Sequence, residues 1–228
     1  EVPSLFIYNC ICVMSDQLVS KAGTITSGDD RFMEWKTKDG NKETTALADF
    51  TTFFEGIFQK ERLLDIIKNF ICFNNEGLKS YKILAGYHQY FAVRKAIVRT
   101  EQAVQGDGKI GVFWHTQGSG KSLSMVFYAH LLQSTIESPT IVVITDRNDL
   151  DNQLYTQFAN CKDFLRQVPQ QAESREHLKS LLNGRKANGI IFTTMQKFEE
   201  SNEPLSDRRN IIVIADEAHR GQYGLTEK

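Results

Sequence analysis

Two short runs in this sequence hold residue types that can act on a polyphosphate. The first is Val112-Phe113-Trp114-His115-Thr116-Gln117-Gly118-Ser119-Gly120-Lys121-Ser122. Gly118 and Gly120 allow a tight turn whose backbone N–H groups approach phosphate oxygens. A helix starting near Lys121 would add the positive end of its dipole. Lys121 has the length and charge to reach β- and γ-phosphates, and the Ser122 hydroxyl can ligate Mg²⁺. The common phosphate-loop pattern has Gly at the position of His115, so the match departs there. The second run is Ile211-Ile212-Val213-Ile214-Ala215-Asp216-Glu217-Ala218-His219. It sets two carboxylates directly after an apolar strand. Asp216 is suited to holding Mg²⁺ through water, and Glu217 to orienting or deprotonating an attacking water. A phosphate loop followed by such a pair predicts an ATPase site, with Lys121, Asp216 and Glu217 catalytic. Thr116, Gln117, Gly118, Ser119, Gly120, Lys121 and Ser122 would bind ATP, and Ser122 and Asp216 would hold Mg²⁺.

These residues need a scaffold that presents strand ends together. The chain supplies the pattern from about Tyr87 onward. Gln89–Gln105 reads as an amphipathic helix, Ile110–Trp114 as a strand, Ser122–Gln133 as a helix and Thr140–Thr145 as a strand. Leu150–Phe158 and Arg175–Leu182 read as helices, and Gly189–Thr193 and Asn210–Ala215 as strands. Short continuous apolar strands alternating with helices predict an α/β fold, a parallel sheet with helices on both faces. Ligands of such sheets bind beyond the carboxyl ends of the strands. Upstream, Leu5–Met14 and Leu18–Thr26 read as strands, and Ala46–Gln59 and Arg62–Phe73 as helices, the latter closed by Asn74-Asn75-Glu76-Gly77. This is a partial α+β and helical segment.

Bulk composition narrows the partners only slightly. The formal net charge of -1 excludes a global basic field, so any nucleic-acid contact must be local. Cys10, Cys12, Cys72 and Cys161 form no CxxC pair and have no His at finger-like spacing, which argues against zinc. Cys10 and Cys12 share one face of the first strand and are expected to be buried apolar residues. No apolar stretch reaches the ~18–20 residues needed to span a bilayer, and the expectation is a cytoplasmic protein without membrane contact. The chain opens without Met and stops soon after the acidic box, which reads as a fragment.

Asp216-Glu217-Ala218-His219 is the DEAH box of superfamily 2 helicases and translocases, and further segments resemble one group within it. Tyr87-His88-Gln89-Tyr90-Phe91-Ala92-Val93 resembles the Q-type motif, in which a Gln reads the adenine edge; a carboxamide can donate and accept in one plane, which implicates Gln89. Thr145–Leu154 and Phe192–Phe198 resemble motifs Ia and Ib of the restriction (R) subunit of type I restriction enzymes. His115–Ser122 is also the form the phosphate loop takes there, and Gln170–Leu178 and Leu5–Asp16 with Ala22-Gly23-Thr24 are similar too. The resemblance implies that Arg147, Thr193 and Thr194 touch the DNA backbone and that His219 couples the nucleotide and DNA sites. It implies residues 1–45 as the closing strands of a PD-(D/E)xK nuclease domain, 46–84 as a helical connector and 85–228 as the first RecA-like domain. The nuclease site and the second RecA-like domain, with its arginine finger, would lie outside this chain.

What the resemblance implies is an ATP-dependent motor module acting on double-stranded DNA, partnered by methylation (M) and specificity (S) subunits. The isolated chain would lack nuclease and full motor activity. Glu34-Trp35-Lys36 has nuclease-like E-x-K spacing but lies in a polar stretch after a turn and is read as non-catalytic. Two other readings stay open from the residues: another superfamily 2 DNA or RNA helicase, and a nucleotide-dependent interaction module.

Overall fold

The computed structural model describes residues 8–16, 18–44, 49–114, 116, 118–145, 148–184, 187–197 and 204–216. The chain forms two compact units, Glu1–Leu131 and Leu132–Lys228.

In the first unit, β1 (Cys12–Ser15) and β2 (Ser20–Gly23) form an antiparallel hairpin, extended by a bridge from Ala22 to Met33. Helices α1 (Phe50–Ile57) and α2 (Lys60–Asn69) follow, then a second hairpin, β3 (Ile71–Glu76) and β4 (Lys79–Leu84), and the long helix α3 (Tyr87–Val104). Local chemistry sets the helix starts. The Asp49 carboxylate accepts the Thr52 N–H at 2.8 Å to open α1, and the Gln59 side-chain Oε1 accepts that of Arg62 at 2.7 Å to open α2. The unit packs around aromatic rings. Trp35 is buried against Tyr87, Tyr90 and Phe91, with centroids 5.8–6.3 Å apart. Phe70 lies 4.7 Å from Tyr90 and 5.5 Å from Phe127. A polar tie joins α2 to α3: Asp65 accepts hydrogen bonds from the Tyr90 hydroxyl (2.9 Å) and the Arg94 Nε (2.7 Å), and pairs with a second Arg94 nitrogen.

Helix α4 (Lys121–Thr135) leads into the second unit. Its elements are β5 (Thr140–Thr145), α5 (Asn148–Asn160), α6 (Lys162–Leu165), β6 (Gln170–Gln171), α7 (Arg175–Asn183), β7 (Ile190–Thr194) and β8 (Ile211–Ala215). The four strands form an all-parallel sheet in the order β6-β7-β5-β8. Side chains alternate between its faces, and each face has its own helix. Val142, Ile144 and Ile191 pack with Leu178 and Leu182 of α7. On the opposite face Phe192 meets Phe158 and Tyr155 of α5, at 5.1 and 5.5 Å between centroids. Complete burial of Leu178 or Phe158 stabilises the unit by roughly 1.5–3 kcal/mol each. The sheet covered on both faces is the α/β architecture expected from the sequence.

Several expectations need correction. Ile110–Trp114 is not a strand: among the described residues no sheet pairs with it, Gly111 takes φ 131°, and Val112 and Trp114 are exposed. A residue of that φ interrupts an extended run, and apolar content alone does not supply a hydrogen-bonding neighbour. Helix α2 ends at Asn69 and not Phe73, because Ile71–Phe73 starts a hairpin turning at Gly77 (φ 60°). A short apolar run fits either state, and the missed signal was that β-branched and aromatic residues stand directly before a turn. Cys10 is exposed and Cys12 partly so, since β1 begins only at Cys12 and carries an exposed face. Leu5, Phe6 and Ile7 of the expected Leu5–Met14 strand lie outside the described residues. Glu34 and Lys36 form an exposed pair with each other at 3.4 Å, on either side of the buried Trp35.

Candidate nucleotide site

The phosphate-loop residues open α4. Gly118 and Gly120 both adopt left-handed backbone, φ 80° and 84°, and Lys121 is the first residue of the helix. Ser119 closes the turn: its N–H and its hydroxyl both donate to the Thr116 carbonyl, at 3.1 and 2.6 Å. Among the described residues, a Cβ built on Gly118 would meet nothing within 4 Å. A Cβ on Gly120 would lie 2.6 Å from the Gln89 Nε2. Gly118 therefore serves backbone conformation, whereas Gly120 serves both conformation and close approach. Lys121 and Ser122 are half-buried in the first turn of α4. Main-chain N–H groups at the start of a helix, a lysine and a hydroxyl together make a donor set that fits a phosphate with a hard divalent cation.

The start of α3 is bonded to this loop. Gln89 is buried, at 4% exposure. Its Oε1 accepts the Gly86 N–H at 2.9 Å, and its Nε2 donates to the Gly120 carbonyl at 3.0 Å. The carboxamide is thus turned onto the loop, with its acceptor and one donor already engaged by protein. The neighbouring His88 places Nε2 3.0 Å from the Ser119 carbonyl. Sequence reasoning singled out Gln89 but missed His88; the available signal was a second polar side chain in the first turn of the same helix.

The remaining candidates lie in the second unit. Asp216 follows β8, and its backbone N–H donates to the Ile144 carbonyl at 2.8 Å, which ties it to the carboxyl end of β5. Thr193 and Thr194 end β7 and are both buried. The Thr145 hydroxyl donates to the Thr193 carbonyl at 3.5 Å, while the Thr193 hydroxyl has no partner among the described residues. Asp216, Thr193 and Thr194 thus stand at the carboxyl ends of parallel strands, the edge at which such sheets bind ligands. His115, Gln117, Arg147, Glu217 and His219 fall outside the described residues.

Comparison with known proteins decides the family. The SWI2/SNF2 ATPase profile matches residues 88–228. A sequence described as the C-terminal part of the Mycoplasma pneumoniae type I restriction enzyme endonuclease subunit MpnIIP is 30% identical over 205 residues, spanning 84% of this chain and 95% of that protein. The chain belongs to the endonuclease subunits of type I restriction enzymes. The HindI endonuclease subunit of Haemophilus influenzae is 46% identical over 241 residues, across all of this chain and 23% of its own length. The SauCOLORF180P subunit of Staphylococcus aureus is 28% identical over 198 residues, across 83% of this chain and 20% of its own length. The chain therefore spans about a quarter or less of these longer relatives. The family match begins at His88, whose Nε2 lies 3.0 Å from the Ser119 carbonyl. The parallel sheet flanked by helices agrees with a RecA-like ATPase domain. Among the described residues, no helix is long and apolar enough to cross a membrane.

Proposed function

We propose that this chain is the ATP-binding motor module of a type I restriction R subunit, in which ATP hydrolysis drives translocation of double-stranded DNA. The observation that carries the reading is the loop Gly118–Ser122, with two left-handed glycines opening a helix at Lys121. Its main-chain N–H groups and Lys121 bind the β- and γ-phosphates, with Thr116 and Gln117 flanking them and Gln89 bordering the nucleotide. Ser122 and Asp216 would hold Mg²⁺, which would draw charge off the phosphates, and Glu217 would orient the attacking water.

Contacts to a DNA strand fall to Arg147 and the end of β7. Thr193 and Thr194 are almost wholly buried, so their part is to shape the end of β7 beside the strand contact and not to reach a phosphate directly. His219 relays between nucleotide and DNA sites. Residues 1–45 close a nuclease domain, 46–84 connect it and 85–228 form the first RecA-like domain. In the whole protein, methylation and specificity subunits direct the motor in the cytoplasm, and cleavage follows translocation.

The test is titration of Mg²⁺·ATP into the wild-type chain and the Lys121→Ala and Glu217→Gln variants. Lys121→Ala should lose binding, and Glu217→Gln should keep it. Equal affinity of Lys121→Ala and wild type would remove the loop from its role. Salt-dependent binding of duplex DNA in preference to RNA tests the translocase reading against an RNA helicase.

A further inference from the structure

We infer that His88 is a positioning residue for the phosphate loop, holding the Ser119 carbonyl back so that the next N–H faces the nucleotide. The inference rests on the ATP-binding reading above and deepens it. In a trans peptide the C=O and the following N–H lie in one plane and point in opposite directions. Fixing the Ser119 carbonyl therefore fixes the Gly120 N–H, and fixing the Gly120 carbonyl fixes the Lys121 N–H. The structure restrains these two carbonyls from one helix turn: His88 Nε2 lies 3.0 Å from the first, and Gln89 Nε2 lies 3.0 Å from the second. Ser124 also donates to the Gly120 carbonyl, at 3.1 Å, as a normal turn of α4.

The restraint matters because of what the loop lacks. Gly118 and Gly120 have no side chain to limit their torsions, so these peptide planes are among the easiest in the chain to flip. The Ser119 N–H donates to the Thr116 carbonyl, so the Gly120 N–H is the loop donor whose direction the His88 contact sets. A carbonyl turned toward the phosphates would repel them. A carbonyl accepts and does not donate, so His88 must carry a proton on Nε2. The ring also makes an edge contact with Tyr87, centroids 5.4 Å apart. Gly86 leaves room for it, since a Cβ there would approach the imidazole Cε1 to 2.8 Å.

The experiment compares wild type with His88→Ala and His88→Gln, the second placing an amide donor near the position of Nε2. Amide hydrogen exchange across Thr116–Ser122 is read without nucleotide, and Mg²⁺·ATP affinity is read in parallel, with Lys121→Ala as the reference for loss of phosphate binding. His88→Ala should speed exchange in the loop and weaken ATP by about threefold to tenfold, the worth of one hydrogen bond. His88→Gln should restore both. Unchanged exchange in His88→Ala, or equal loss in the two variants, overturns the inference. Wild type failing to bind ATP would instead overturn the nucleotide reading, and the exchange comparison would still decide the role of His88.

Discussion

At the scale of single residues, the two loop glycines differ in what they must avoid. Gly120 would bring a Cβ against the Gln89 amide at a φ of 84°, whereas Gly118 has only its φ of 80° to satisfy. Gly120→Ala should therefore lower ATP affinity by at least about tenfold, from strain of 1–3 kcal/mol plus the lost Gln89 contact, and more than Gly118→Ala. Equal losses in calorimetric titration would show that the Gln89 contact is unimportant. Thr193 gives the opposite expectation. Its buried hydroxyl has no partner among the described residues, so Thr193→Val should be neutral or stabilise by about 1 kcal/mol in urea unfolding. A clear destabilisation would reveal a hydrogen bond there. Duplex DNA binding should survive the change, because a wholly buried side chain makes no direct contact with a ligand.

At the scale of elements, α7 separates capping from packing. The Ser174 hydroxyl accepts the His177 N–H at 3.1 Å, and Leu178 is fully buried one turn later. Ser174→Ala should cost about 1 kcal/mol, and Leu178→Ala about 2–5 kcal/mol through lost burial and a cavity. Denaturant unfolding that ranked them the other way would mean that capping, not the apolar face, holds α7 to the sheet. The helices of this unit were legible because Ser174, Leu178 and Leu182 repeat at helical spacing. The β3–β4 hairpin was not, because Ile71-Cys72-Phe73 extends the helical apolar rhythm of α2 and only the pairing with Lys82–Leu84 decides its state.

At the scale of the whole molecule, the first unit buries tyrosines that couple its stability to alkaline pH. Burial, then the Asp65 carboxylate and its hydrogen bond, push Tyr90 up to about 12. Burial, then a hydrogen bond to Glu43, push Tyr87 up to about 12, and burial raises Tyr128. A raised folded value means that the neutral form is favoured on folding, so this stability is fully present below the unfolded value of 10. It is lost as pH rises from 10 through about 12. Urea midpoints of wild type should fall across that window, and those of Tyr90→Phe should fall less. Parallel pH curves for the two proteins would exclude Tyr90 as a contributor.

The sequence by itself determined the α/β class, the parallel strands and the order of the two chemical motifs. It could do so because continuous apolar runs such as Thr140–Thr145, bounded by helical repeats, are a local property of the chain. It also marked Gly118, Gly120 and Lys121, since the chemistry of a phosphate cradle requires those types at that spacing. Only the tertiary structure decided that Gln89 turns its amide onto Gly120, that His88 stands on the Ser119 carbonyl and that the Thr193 hydroxyl is buried. Each of those depends on where a side chain meets backbone 31 residues away, or on what covers a strand end. No local pattern encodes such an encounter, because the same side chains in the same periodicity could as well face water.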